Sequence, residues 1–154
     1  MNDFFSPQYP DSVSLCRKAK ARMPRFAYQY LQGGCIDEHG LDRNNQELVQ
    51  VRLRSELLQP SVKVDTSVEL FGHTYAAPFG IAPVGLQGLM WPKAPEILAK
   101  SAAQMNIPYV LSTVSSASLE DIADISEGKA WYQLYNPTDT ETRIDLINRL
   151  KASG

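Results

Sequence analysis

Apolar and polar positions change rhythm twice along the chain. Up to about residue 60 the apolar residues recur at helical spacing. Residues 1–10 read as an irregular arm, and Asp11 or Ser12 is placed to cap a helix running to about Arg22. Pro24 suits the first turn of a second helix, "PRFAYQYLQ", which Gly33 and Gly34 end. A third helix is predicted over residues 37–53, "DEHGLDRNNQELVQVRL", with Leu41, Leu48 and Leu53 among its apolar positions. In "SVKVDTSVELFGHTY" the period drops to two. Val62 and Val64 alternate with polar residues, as do Val68 and Leu70, and Gly72 marks a turn, so short strands forming a hairpin are expected.

From residue 78 the order is strand, helix, strand, helix. "FGIAP", "PYVLST" and "AWYQLY" are short apolar strands. Between and after them come three helical stretches. Residues 92–106 place Ile97, Leu98, Ala102 and Met105 on one side. Residues 118–128 start with Ser118 as N-cap and Asp121 three positions later. Residues 139–154 carry Ile144, Ile147 and Leu150 on one stripe. Consecutive βα units imply a parallel sheet with right-handed crossovers, in strands buried by helices on their faces. The expected organisation is a helical lead-in over residues 1–60, a hairpin over 61–77 and three βα units over 78–154. This pattern fits both a barrel and an open doubly wound sheet. A closed barrel of eight units needs about 250 residues, so the 154 residues read as the N-terminal part of a longer protein.

Composition narrows the function classes. Hydrophobic residues make up 44% and charged residues 21%, the balance of a globular domain. Fifteen basic and seventeen acidic residues leave a net charge of −2 with no basic block, which argues against nucleic acid as a partner. Cys16 and Cys35 form neither a CxxC pair nor a metal-ligand spacing. They are expected as small, buried or partly buried residues in a reducing compartment, and no metal site is expected. The first residues lack the basic and apolar regions of a signal peptide, and no apolar run approaches the ~18 residues of a membrane span. A cytoplasmic location is expected.

In a parallel βα array the C-terminal strand ends form the functional face. Three groups fall there: Ala82, Pro83, Val84 and Gly85; Ser112, Thr113 and Val114; Gln133 and Tyr135. The period of two puts Trp131, Gln133 and Tyr135 on one strand face and Tyr132 and Leu134 on the other. An amide and a phenol on an inward face need polar partners, which a bound heterocycle would supply. The small residues 82–85 offer backbone against which a flat ring could lie, although a plain tight turn uses the same residues. Trp91 and Trp131 read as packing residues, and His39 and His73 as surface residues.

"YQYLQGG", "IAPVGLQGLMWP", "LSTVSSASLEDIA" and "WYQLY", in this order, resemble the FMN-dependent α-hydroxy-acid dehydrogenase/oxidase family, which includes glycolate oxidase, lactate dehydrogenase and mandelate dehydrogenase. The resemblance runs from about Ser14 onward and implies a TIM (β/α)8 barrel. It implies FMN as cofactor and oxidation of a small 2-hydroxy acid, lactate- or mandelate-like, to the 2-oxo acid. Hydride transfer from the α-carbon and carbanion formation are the two routes. By this resemblance Tyr30 contacts the substrate carboxylate, and Ala82, Pro83, Val84 and Gly85 lie along the flavin through their backbone. Ser112 and Gln133 bond the flavin, and Tyr135 reaches the substrate or reaction centre and is the catalytic candidate.

The family's base histidine, arginine pair, lysine and phosphate site lie later in the barrel. The 154 residues alone are therefore expected to bind FMN weakly and to be inactive. Gly85 stands where several oxidases carry alanine, pointing to a dehydrogenase that passes electrons to a quinone or other carrier rather than to O2. Val114 stands where glycolate oxidase has an aromatic residue, pointing to a side chain larger than that of glycolate. The full-length protein is expected to be a homo-oligomer, with room for peripheral membrane attachment through a segment outside these residues. The alternatives are another FMN-binding TIM-barrel enzyme and a non-catalytic half-barrel interaction module.

Overall fold

The computed structural model describes residues 9–58 and 63–154. Residues 1–8 of the expected arm, Val62 of the expected alternation and the expected boundary at residues 60 and 61 lie outside the described residues. The chain divides into two compact units, Met1–Lys63 and Val64–Gly154.

The first unit is helical. Helix α1, Ser12–Arg22, starts where Asp11 Oδ1 accepts the Ser14 N–H at 2.7 Å. That bond holds the Asp11 carboxyl below its ordinary range. Helix α2, Arg25–Gln32, has Pro24 as N-cap rather than inside its first turn, and ends at Gly33, whose N–H donates to Gln29 O at 2.9 Å.

Helix α3 is shorter than its pattern predicts, running from His39 to Gln50. Glu38 stands before it in the left-handed region at φ 59°, with its N–H on Cys35 O and its side-chain oxygen accepting from Gly34 N–H. The turn this makes cannot continue as helix. At the other end Val51 is extended, so Leu53 falls outside the helix and is 97% exposed. Leu41 and Leu48 are exposed too, so the predicted stripe buries nothing. Cys16 and Cys35 are free and exposed rather than buried, because α1 buries no residue and Cys35 sits in the turn before Glu38.

The second unit opens with a hairpin, β1 (Val68–Leu70) antiparallel to β2 (His73–Tyr75). Phe71 and Gly72 make its two-residue turn, both at positive φ (51° and 80°), the hand that matches strand twist. His73 is the first residue of β2 rather than part of the turn, and is exposed. Val64 lies outside the strands.

Next come helices α4 (Gln87–Met90) and α5 (Ala94–Met105), strand β3 (Val110–Ser112), helix α6 (Leu119–Ser126), strand β4 (Trp131–Gln133) and helix α7 (Thr140–Ala152). β3 and β4 are parallel, with Val110 opposite Trp131 and Ser112 opposite Gln133. The expected strand at residues 79–83 is reduced to one parallel bridge, Ile81 to Tyr109. Pro83 and Pro108 each remove a ladder donor. What remains is the Ile81 N–H on Pro108 O at 2.8 Å and the Val110 N–H on Ile81 O at 3.0 Å.

One cluster forms the core. Ala99 and Ala102 of α5, Tyr109, Leu111 of β3 and Ile122 of α6 are buried together, with Ile81, Leu98 and Tyr132 packed against them. On α5 the buried positions are Pro95, Ala99 and Ala102, whereas Ile97 is 50% exposed and Met105 is exposed. The helix lies on the sheet through its alanines, which admit close approach. On α7 no residue is fully buried, and Ile144 is exposed.

Ser118 caps α6 by accepting the Asp121 N–H at 3.1 Å, as its spacing predicts. Arg149 of α7 grips Glu120 of α6 through both carboxylate oxygens, at 2.8 and 3.0 Å. The hydrogen bonds from Arg149 pull the Glu120 carboxyl from its ordinary 4.5 down to about 2. Because the folded-state value is depressed, the pair's contribution is complete above 4.5 and is lost as pH falls towards 2. Both groups are exposed, so the effect is small. Carboxyl NMR titration of Glu120 should return to an ordinary midpoint in Arg149→Ala.

Candidate functional site

Three stretches of the second unit meet at the C-terminal ends of adjacent parallel strands. The first follows Ile81. Ala82 and Pro83 are exposed, Val84 and Gly85 are half-buried, and among the described residues the backbone of 82–85 enters no hydrogen bond. Beyond it the loop is tied down. Leu86 N–H donates to Val114 O at 3.0 Å, and Gly88 lies so close to Ser116 that a Cβ there would overlap the serine hydroxyl. The small residues thus leave backbone open on one stretch and let two loops pack on the next.

The second stretch is Ser112 to Val114. Ser112 is 5% exposed. Its hydroxyl donates to Gln133 Oε1 at 3.4 Å and accepts the Val114 N–H at 3.3 Å. It therefore serves its own turn and the neighbouring strand together. The third stretch is Gln133 to Tyr135. The cross-strand register sets Gln133 beside Ser112, and the amide nitrogen of Gln133 has no partner among the described residues. Tyr135 is 63% exposed. Trp131, on the same strand face, donates its indole N–H to Tyr75 Oη at 3.2 Å and packs edge-on against Tyr75 and Phe71, the packing role expected of it.

The structure therefore brings together residues 82–85, Ser112, Gln133 and Tyr135. Tyr30 belongs to the first unit, on α2, and is exposed.

Two features escaped the sequence reading. Gln87 is 4% exposed and accepts the Tyr109 hydroxyl at 3.0 Å. Burial, helped by Glu96, pushes the Tyr109 phenol up to about 12, so it stays a neutral donor. This bond anchors the loop that carries residues 82–85. A lone glutamine in the apolar run "VGLQGLM" was the available signal, since such a group needs a buried partner. The other is the role of Thr113, already placed at a strand end by the sequence: its hydroxyl donates to Gln133 O and accepts the Tyr135 N–H at 2.9 Å.

A family model described as FMN-dependent dehydrogenase matches residues 19–154. The chain belongs to the FMN-dependent dehydrogenase family. Among curated relatives of this flavoenzyme family, the L-lactate dehydrogenase of Xanthomonas euvesicatoria pv. vesicatoria is 40% identical over 136 residues, 88% of this chain and 35% of that protein. The L-lactate dehydrogenase of Vibrio parahaemolyticus is 37% identical over the same share of this chain and 36% of its own. Among solved structures, a mandelate oxidase superposes with a TM-score of 0.85 at 33% identity, covering 95% of this chain and 42% of that one. An (S)-mandelate dehydrogenase superposes with a TM-score of 0.80 at 35% identity, covering 92% and 40%. The chain spans about a third of the length of the curated relatives it matches. The fold is α/β, as expected.

The donor set fits the family's cofactor. An isoalloxazine edge alternates acceptor carbonyls and ring nitrogens. Unpaired backbone N–H groups at Ala82, Val84 and Gly85 and the free amide nitrogen of Gln133 are the donors such an edge requires.

Proposed function

We propose that these residues form the first sector of a (β/α)8 barrel and the flavin-facing part of an enzyme that oxidises a small 2-hydroxy acid, lactate- or mandelate-like, to the 2-oxo acid. The barrel reading is supported by the family, and the strand order agrees with it. The strand at Ile81, β3 and β4 neighbour one another in chain order, and α5 and α6 share the core cluster against β3. Three strands in chain order occur in a barrel and in one half of a doubly wound sheet alike. The names of the relatives support the substrate class.

The observation that carries the reading is the Ser112–Gln133 pair beside the open 82–85 backbone at the strand ends. FMN, when bound, supplies the electron-accepting chemistry. The chain's own residues hold and orient: the 82–85 backbone lies along the ring, and Ser112 and Gln133 bond its edge. The Tyr135 hydroxyl donates to substrate oxygen as negative charge develops there, and Tyr30 binds the substrate carboxylate. Gly85 favours a quinone or other carrier over O2 as acceptor, and Val114, exposed beside the loop, favours a side chain larger than that of glycolate. The working protein is a homo-oligomer in this reading.

The test is a flavin-fluorescence titration of the 154-residue chain with FMN, and anaerobic bleaching of the flavin by L-lactate or mandelate in a polypeptide that supplies the remaining barrel. The chain alone should bind weakly and turn over no 2-hydroxy acid. Gln133→Leu removes one hydrogen bond and should weaken binding about tenfold, the equivalent of ~1.4 kcal/mol. Saturable FMN binding that ignores Gln133→Leu and Ser112→Ala alike would sink the assignment.

A further inference from the structure

We infer that Thr113 is a positioning residue for the site, a hydroxyl clamp that sets the backbone of residues 133–135 and through it the aim of Gln133 and Tyr135. The regular ladder between β3 and β4 ends at the pair Ser112 and Gln133. Beyond it the strand has lost its register partner, yet Tyr135, two residues on, carries the second side chain on which the site depends. Thr113 fills that gap with three bonds. Its N–H donates to Gln133 O at 3.1 Å, its hydroxyl proton goes to the same carbonyl, and its hydroxyl oxygen accepts the Tyr135 N–H at 2.9 Å.

Only a hydroxyl can do this. The carbonyl needs a donor, the amide two residues on needs an acceptor, and an O–H is both at one atom. Threonine adds a branched Cβ with few χ1 rotamers, so the oxygen is held in one direction. The Gln133 carbonyl is thus gripped twice and the Tyr135 nitrogen once, which fixes the peptide planes on both sides of Leu134. Side-chain direction along an extended segment follows from those planes. Ser112 meets the Gln133 side chain directly at 3.4 Å, whereas Thr113 touches only main chain. Its part is therefore orientation rather than contact with cofactor or substrate.

This inference rests on the flavin reading for its consequence but not for its geometry, and the experiment separates the two. Amide hydrogen exchange at Tyr135 and FMN titration would be measured on the 154-residue chain as wild type, Thr113→Val and Thr113→Ser, with circular dichroism to confirm the fold of each. Valine keeps the shape and loses the hydroxyl, and serine keeps the hydroxyl. In Thr113→Val the Tyr135 amide should exchange about tenfold faster and FMN should bind about tenfold more weakly, the worth of one lost hydrogen bond. Thr113→Ser should restore both to within about threefold, together with the visible spectrum of bound FMN. Unchanged exchange at Tyr135 in Thr113→Val overturns the clamp. Faster exchange with unaltered FMN affinity overturns its service to the site. If wild type binds no FMN while exchange still follows the hydroxyl, the clamp stands and the flavin reading is the one that fails.

Discussion

Ile122→Ala should cost the βα unit about 2–5 kcal/mol of unfolding free energy, the range for deleting a fully buried isoleucine side chain. Ile122 has no exposed surface, and its neighbours in the cluster are poorly able to fill the space it would leave. Ala99 and Ala102 have no further atoms to rotate inwards. Tyr109 is held by its bond to Gln87, and Leu111 is fixed in the β3 ladder. Helix α6 cannot slide, because Ser118 caps its start and Arg149 grips Glu120 on its outer face. The cavity therefore persists, and the loss should lie toward the upper part of the range. Urea unfolding followed by circular dichroism measures it. Ile97→Ala on α5 is the control, since that side chain is half exposed and its loss should cost less than about 1 kcal/mol. Equal losses at the two positions would mean that Ile97 faces the sheet, as its place in the predicted stripe first suggested.

That contrast shows where the sequence speaks and where it is silent. Local chemistry was legible: a serine three residues before an acidic one becomes a cap, and a glycine between alternating runs becomes a positive-φ turn. The face a helix buries was less so. Of the stripe Ile97, Leu98, Ala102 and Met105, the core takes Leu98 and Ala102 and adds Ala99, while Ile97 and Met105 stay exposed, because small residues let the helix come close, a tertiary preference no window of sequence contains. Strand lengths were overstated for a related reason, since each proline silences a donor on one strand and so shortens the pairing of two. At the site, residues 82–85, Ser112, Gln133 and Tyr135 were readable through their motifs. Gln87 and Tyr109 were not, and Thr113 was placed at the strand end without its role. Their roles exist only once the register sets Ser112 opposite Gln133 and brings residues 87 and 109 together. Tyr30 was named by motif too, but it lies in a unit of its own.

Gly80→Ala should strike both stability and the site. A Cβ on residue 80 would stand 2.6 Å from the Pro108 carbonyl oxygen and 2.9 Å from its Cβ. Neither atom can swing away, one being main chain and the other part of a ring. The same carbonyl accepts the Ile81 N–H, one of two bonds that join the first strand to β3 among the described residues. The substitution must push the strands apart there, at about 1–3 kcal/mol for overpacking and roughly 1 kcal/mol more for each ladder bond it breaks. The displacement cannot spread evenly. Two residues downstream begins the open backbone of 82–85, and just beyond it the loop is pinned by Leu86 on Val114, Gly88 on Ser116 and Gln87 on Tyr109. A strand that moves against a loop that does not will bend the four residues between them, and these are the ones proposed to lie along the flavin. FMN affinity in Gly80→Ala should therefore fall by more than about tenfold at a temperature where the chain is still folded, the equivalent of ~1.4 kcal/mol. Ile122→Ala, whose side chain lies in a core cluster that includes no residue of 82–85, should lose as much stability or more and leave FMN affinity unchanged. Titrating FMN into both variants at matched folded fractions distinguishes a site held by its backbone from one that merely reports global stability. If affinity tracks unfolding free energy across the two, the 82–85 backbone is not what holds the cofactor.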